Sequence, residues 1–175
     1  SSSVRPRARW TSESSGRGST RQTYSGRTAH HRHSTSVHEG RISVQDGWVG
    51  TIEEEHQRTD QRDPVVRAWA HRHDLETISA LAASAPPGPL SGWTLGVKDV
   101  IDTADLPTER GSPIYAGRTT RNDAACVAVA RTAGAIVVGK TRTTEFALFT
   151  PTVTTNPHHP NHTPGGSSSG SAAAV

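Results

Sequence analysis

The run from Asn122 to Thr141 limits what this chain can fold into more than any other part of it. Asn122 or Asp123 can start a helix whose body, Ala124 to Ala133, is nearly all apolar, and Gly134 is the kind of residue that closes one. Ala135-Ile136-Val137-Val138 follows at once, ending at Gly139-Lys140-Thr141. It reads as a strand that other elements must cover on both faces. Upstream, Trp93-Thr94-Leu95-Gly96-Val97-Lys98-Asp99-Val100-Ile101 reads as a second strand with a charge embedded in it. Downstream, Thr143 or Thr144 opens a short helix through Glu145, Phe146, Ala147 and Leu148, stopped before Pro151. Strand, helix, strand, helix with buried strands predicts an α/β architecture, its sheet largely parallel and flanked by helices.

Order is expected to begin near Thr51. Thr51-Ile52-Glu53-Glu54 fits a capping box, and Asp63-Pro64 fits a second helix start or a sharp turn. Asp74 can cap a segment through Ala85 that places Leu75, Ile78, Leu81 and Ala82 on one face, with Pro86-Pro87-Gly88-Pro89 as a firm stop. Residues 51–89 therefore read as a helical hairpin on the outside of something larger, with His71 and His73 at its surface. Residues 1–50 differ in kind. They hold eight Arg, no Lys and three acids, while Ser and Thr fill sixteen positions. They net +5 against −2 for residues 51–175, so the basic balance of the chain belongs to this leader.

A leader of that composition cannot bury enough apolar surface to offset its ordering entropy. It resembles an organelle transit peptide, an arm for RNA or another polyanion, or sequence never selected to fold; a functionless disordered leader is the expectation favoured. His30, His31 and His33 have no acid or Cys beside them, so no metal site is expected. No stretch is long enough to span a membrane. Cys126, the lone cysteine, lies in an apolar run, which suits a reducing compartment or a buried thiol, and a cytoplasmic location is expected. The absence of Met leads us to expect a fragment, or a chain whose N-terminus is not the native one.

Three features carry chemistry. Gly134-Ala135-Ile136-Val137-Val138-Gly139-Lys140-Thr141 fits the G-x-x-x-x-G-K-T phosphate-loop pattern by letter, but a helix precedes its first Gly and β-branched residues fill its middle, so nucleotide binding is rejected. Seventeen Arg stand against two Lys, Lys98 and Lys140. Arg serves wherever only surface charge is wanted but cannot give up its proton, so each Lys is a candidate for a task Arg cannot perform. Lys98 sits among Leu95, Val97, Val100 and Ile101, where desolvation disfavours the charged ammonium and Asp99 or Asp102 would oppose that by pairing with it. The third feature is Gly165-Gly166-Ser167-Ser168-Ser169-Gly170-Ser171 followed by Ala172-Ala173-Ala174-Val175. Composition alone allows a linker. Pro164 before it and the apolar run directly after it favour a Gly-rich turn feeding a buried helix, suited to developing negative charge.

Gly-Val-Lys98-Asp, Gly111-Ser112, Asp123-Ala124, Ala133-Gly134-Ala135, Gly139-Lys140-Thr141, Glu145-Phe146-Ala147, Asn156-Pro157 and Gly165 through Ala173 together resemble the amidase signature family, over about Leu90 to Val175. The stretch from Thr154 through the triple serine looks most like malonamidase-type members. The resemblance implies a truncated amidase-signature domain over 90–175 and a helical N-terminal flank over 51–89. It implies carboxamide hydrolysis by a Ser–cis-Ser–Lys triad without a cofactor or metal. Lys98 matches the base and Ser167 the bridging serine after a cis bond. Gly165, Gly166, Ser168, Ser169 and Gly170 match the supporting loop, and Lys140 matches a signature lysine that is not catalytic. Lys140→Arg is accordingly expected to leave much of the activity.

The family's acylating serine would fall after Val175, so no nucleophile is matched and this chain alone is expected to be inactive. The implied partners are a small-molecule amide and a second copy in a homodimer, with no membrane and no nucleic acid. An amidase subunit of a tRNA-dependent amidotransferase, acting on glutamine, shares these motifs and is the alternative, as is a non-catalytic remnant or interaction protein.

Overall fold

The computed structural model describes residues 51–175 throughout and, before them, only the backbone of strand segments within residues 10–15, 19–24, 37–38, 41–43 and 49–50. Ser1–His33 and Ser34–Val175 form two compact units. In the first, β1 (Trp10–Ser15) pairs antiparallel with β2 (Ser19–Tyr24), Trp10 opposite Tyr24. The second opens with β3 (Val37–His38), β4 (Arg41–Ser43) and β5 (Val49–Thr51), an antiparallel sheet in that order. These ladders are made by main-chain groups and need no apolar period, which is why composition does not forecast them. The expectation of a disordered leader, and the three histidines His30, His31 and His33, otherwise lie outside the described residues.

Thr51 ends β5 and caps α1 (Ile52–Val66). Its hydroxyl accepts from the Glu54 N–H at 3.2 Å, and the Glu54 carboxylate accepts from the Thr51 N–H at 2.9 Å. Asp63-Pro64 does not begin a second helix. Pro64 lies within α1, two residues from its end, where a missing N–H disturbs only the last turn. Asp63 then terminates the helix: its carbonyl accepts from the Arg67 N–H at 2.7 Å, and its carboxylate accepts from Ala68 N–H at 2.7 Å and Trp69 N–H at 3.3 Å.

The helical-hairpin reading of residues 51–89 also changes. Between α1 and α2 (Leu75–Ser84) runs β6 (Trp69–Arg72). All four of its residues are half-buried, so the period-2 signal of a strand is missing from the sequence. α2 itself is as read: the Asp74 carboxylate caps it by accepting from the Thr77 N–H at 2.8 Å, and Ile78 is buried. His71 and His73, expected at the surface, are half-buried and face acids. They stand 3.0 Å from Glu109 and 3.2 Å from Asp105, in side chains 30% and 10% exposed.

The main sheet is built by β7 (Thr94–Lys98), α3 (Ala125–Thr132) and β8 (Ile136–Thr141), a strand–helix–strand unit whose two strands are parallel neighbours. β6 joins the other edge of β8 antiparallel, giving the order β6-β8-β7 and a mixed sheet. Val97, Val127 and Val137 form the buried centre, with Leu95, Ile101 and Ala124 packed around it. Only Val127 of α3 is buried. Val129 is 69% exposed and Cys126 is exposed, which corrects the expectation of a buried thiol. Asp123 does not cap α3. One of its carboxylate oxygens accepts from the Ala104 N–H at 2.8 Å, and the other pairs with Arg131 at 3.0 Å. The phosphate-loop lookalike is helix end, turn and strand, with Gly139, Lys140 and Thr141 inside β8. The chain ends in α4 (Ser169–Ala174), headed by Ser168.

Candidate active site: a lysine and a serine at the ends of the parallel strands

Parallel strands deliver their carboxyl ends to the same edge of a sheet, where α/β folds place their ligands. Here β7 ends at Lys98 and β8 at Thr141, and the two are register partners. The Gly165–Ser168 turn approaches that edge. Gly165 has φ +92°, a conformation side chains other than glycine's rarely adopt, and the Gly166–Ser167 peptide is cis. Ser167 lies beside Lys98, whose Nζ donates to Ser167 Oγ at 2.6 Å.

The other loop residues hold this turn. The Ser169 hydroxyl, 1% exposed, donates to the Gly165 carbonyl at 2.6 Å. Ser168 heads α4 with its carbonyl, which accepts from the Ala172 N–H at 3.0 Å, and its hydroxyl makes no capping bond. Gly166 lies where an added Cβ would meet Thr144 Cγ2 at 3.1 Å. Gly170 has less room still: a Cβ there would stand 2.2 Å from the Ala68 carbonyl oxygen and 2.3 Å from Arg142 N. That closeness lets the Gly170 N–H reach the Arg142 carbonyl at 2.8 Å, while the Arg142 N–H reaches the Ala68 carbonyl at 2.8 Å.

Residues the sequence reading passed over complete the support. The Thr144 N–H donates to the Ser167 carbonyl at 3.0 Å, and the Thr141 and Ser171 hydroxyls are 2.7 Å apart. Thr144 acts through its backbone, so no side-chain pattern announces it. Ser171 and Thr141 stood inside recognised motifs, but their pairing depends on α4 crossing the end of β8.

Neither acid near Lys98 in sequence pairs with it. Asp99 is 1% exposed and lies 3.4 Å from Lys140 Nζ, and Asp102 is bound by Arg118 at 2.8 Å. Lys140 is fully buried and also donates to Thr108 Oγ1 at 2.6 Å and to the Pro107 carbonyl at 3.1 Å. Burial pushes its ammonium below the ordinary lysine value, with the nearby Asp99 charge and hydrogen bond opposing that shift. The two lysines are thus separated by role: Lys140 is tied into the framework, and Lys98 faces a serine hydroxyl.

Further motifs converge behind the site. Gly111 (φ +66°) lies where an added Cβ would stand 2.7 Å from the Thr143 carbonyl oxygen. The Ser112 hydroxyl donates to the Glu145 carboxylate at 2.7 Å, and the Phe146 N–H donates to the Arg110 carbonyl at 2.9 Å. A hydroxyl held against an amine can pass protons between the amine and a third group.

Comparison with known proteins agrees with this geometry. Residues 52–175 match the Amidase family. The chain is 40% identical over 133 residues to the A subunit of the chloroplastic/mitochondrial glutamyl-tRNA(Gln) amidotransferase of Zea mays, covering 67% of this chain and 24% of that one. Among solved structures, the A subunit of glutamyl-tRNA(Gln) amidotransferase from Thermotoga maritima superposes with a TM-score of 0.59 at 32% identity, covering 70% of this chain and 27% of that one. The native peptide amidase of Stenotrophomonas maltophilia superposes at 0.58 and 33%, covering 70% and 28%. The chain spans about a quarter of the length of the curated relatives it matches. With the lysine, the cis-linked serine and the Gly-rich turn assembled at one sheet edge, and with the family match running from residue 52 to residue 175, the chain belongs to the amidase family.

Proposed function

We propose that this chain supplies the base and proton relay of an amide-cleaving site, with Lys98 as the base and Ser167 as the relay. The observation that carries the reading is the 2.6 Å contact between Lys98 Nζ and Ser167 Oγ beyond the cis Gly166–Ser167 bond. With the amine neutral, Ser167 gives its hydroxyl proton to Nζ and takes one from an attacking serine that the remainder of an amidase domain would supply. When the tetrahedral adduct collapses, the same path returns the proton to the departing nitrogen. Ser169 and Gly170 hold the turn, and Gly165 and Gly166 give it its shape.

The amide is that of glutamine, and the chain works as part of the A subunit of a tRNA-dependent amidotransferase. Relatives bearing that name support this choice over a malonamidase-type enzyme, with identities from 37% to 44%. A free-standing amidase is the second reading, supported by the likeness to a peptide amidase in complex with chymostatin at 34% identity.

The test joins this chain to the C-terminal remainder of an A-subunit relative and measures ammonia released from glutamine and from a peptide amide. Lys98→Ala and Lys98→Arg should both abolish release, because arginine keeps the charge but cannot become neutral. Preference for glutamine favours the amidotransferase reading and preference for the peptide amide the amidase. Full activity in Lys98→Ala removes the base assignment.

A further inference from the structure

We propose that Thr141 and Ser171 are a positioning pair, whose hydroxyl contact sets how α4 is turned and so keeps Ser167 against Lys98. Lys98 and Thr141 are register partners at the ends of β7 and β8, and each meets a serine of the same segment. Lys98 Nζ donates to Ser167 Oγ at 2.6 Å, and Thr141 Oγ1 lies 2.7 Å from Ser171 Oγ. The two serines are four residues apart, a spacing that puts side chains on one side of a helical turn. The segment thus rests on the paired strand ends by two rungs.

The second rung matters because little else fixes the rotation of α4. Its buried residues are Ser169, Gly170 and Ala173, which offer little apolar surface to lock a helix by packing. On the approach side the chain gives no support, since a Cβ added at Gly165 would meet nothing within 4 Å. Two main-chain bonds anchor the segment, Thr144 N–H to the Ser167 carbonyl and Gly170 N–H to the Arg142 carbonyl. Two points leave a hinge axis between them, and a third point off that axis closes it. Among the described residues, Thr141–Ser171 is the side-chain hydrogen bond that joins α4 to the sheet.

The contact also has a direction. Thr141 is 1% exposed and its hydroxyl has no other partner among the described residues, so its proton goes to Ser171. Ser171 is half-buried and can place its own proton in water. Loss of the Ser171 hydroxyl leaves a buried donor unmet, which favours any re-seating of α4 that brings it an acceptor. The re-seated helix carries Ser167 with it.

The experiment uses the fact that the 175-residue chain holds two lysines. Lysine labelled with carbon-13 at Cε gives two side-chain signals, and Lys98→Arg assigns them. Ser171→Ala and Thr141→Val should move the Lys98 signal in the direction that Ser167→Ala moves it. The Lys140 signal, from the opposite face of β8, should stay in place. Thr141→Ser, which keeps the hydroxyl, should leave the Lys98 signal at its wild-type position. Ser79→Ala, which removes an exposed hydroxyl from α2, should move neither. Should Thr141→Val fail to fold, Ser171→Ala carries the test, since alanine suits a helix. An unmoved Lys98 signal, or equal movement of both lysines, overturns the proposal.

A turnover measurement extends this and rests on the function proposed above. In the chain joined to the C-terminal remainder of an A-subunit relative, Ser171→Ala should lower kcat by about tenfold or more with KM unchanged, the effect of a misplaced reacting group. In a Ser167→Ala background it should cost nothing further, because it acts through that serine. An unchanged kcat, or the same loss in both backgrounds, overturns the positioning role. Full turnover in Ser167→Ala, with the Lys98 signal still moved by Ser171→Ala, would remove the relay reading and leave the positioning of Ser167 standing.

Discussion

Replacing Lys140 by Met should be one of the most destabilising single changes available to the chain. Lys140 has no solvent exposure and Asp99 has 1%, with 3.4 Å between Nζ and the carboxylate. At an effective dielectric near 20, that separation corresponds to about 5 kcal/mol of gross attraction. Removing the lysine strands the Asp99 charge with only the Glu109 N–H as partner, a situation that costs about 3–5 kcal/mol in buried pairs. Set against roughly 5–15 kcal/mol for a whole domain, that is a large fraction.

The double change Lys140→Met with Asp99→Asn should recover much of the loss, because no charge is then left unpaired. Lys140→Arg, tolerated on the sequence reading, should instead cost about 1–3 kcal/mol, since a fully enclosed site has no space for the larger fork. Urea unfolding followed by tryptophan fluorescence measures all three. Lys140 also gives a pH signature. Its folded value lies below the unfolded 10.5, so the unfolded chain holds more protons over the interval just under 10.5, and stability should rise with pH there. Lys140→Met should abolish that rise. A loss below about 1 kcal/mol for Lys140→Met, or a double variant that merely adds the two single losses, would refute the buried-pair argument.

In the extended protein, Ser167→Ala should cut amide turnover severely yet leave slow labelling by a serine-directed phosphonate; unchanged turnover would return the Gly165–Gly170 turn to a spacer. Gly170→Ala should lower the urea midpoint and lengthen the path from Ser167 to Lys98, because the new Cβ meets main-chain atoms of Ala68 and Arg142 that cannot rotate away; a neutral effect would mean that α4 does not dock as described. Burial alone would raise the Asp105 carboxyl, but hydrogen bonds from His73 and Arg131 and their charges outweigh it and bring it to about 2 from 3.8. Its contribution is therefore present above 3.8 and lost as pH falls through about 2. Asp105→Asn should flatten the acid limb of the stability profile, and an unchanged limb would show the network to be idle.

What could be read from sequence was what local chemistry dictates. The Thr51–Glu54 capping box, the Asp74 cap and the apolar β8 each carry their signal within a few residues. Lys98 stood out as a lysine in an apolar run, whereas Ser167 was singled out by the resemblance to a family rather than by its neighbours; the structure places the two 2.6 Å apart. What escaped depended on residues far apart in the chain. β6 has both faces half-covered and so shows no alternation, and Asp63-Pro64 looks the same whether it opens a helix or closes one. Asp99 was read beside Lys98, its sequence neighbour, but side chains of adjacent strand residues point to opposite faces, so its partner came from β8. Cys126 looked buried because the run around it is nearly all apolar, yet Val127 is the one buried residue of α3.

The main-chain bonds that run from Ala68 to Arg142 and from Arg142 to Gly170 link β6, the end of β8 and the start of α4 without using a side chain. They hold the relay turn by an address that any residue at position 142 can supply, since every residue but proline offers the same N–H and carbonyl. The side chain at 142 takes no part in those two bonds; its charge acts instead on Glu109, where, after the Gly117 N–H and His71, it helps to lower the carboxyl. A lineage could exchange that side chain while Ser167 stayed where Lys98 can reach it. Position 142 is thus a place where the side chain can vary while the turn that carries Ser167 keeps its main-chain anchor.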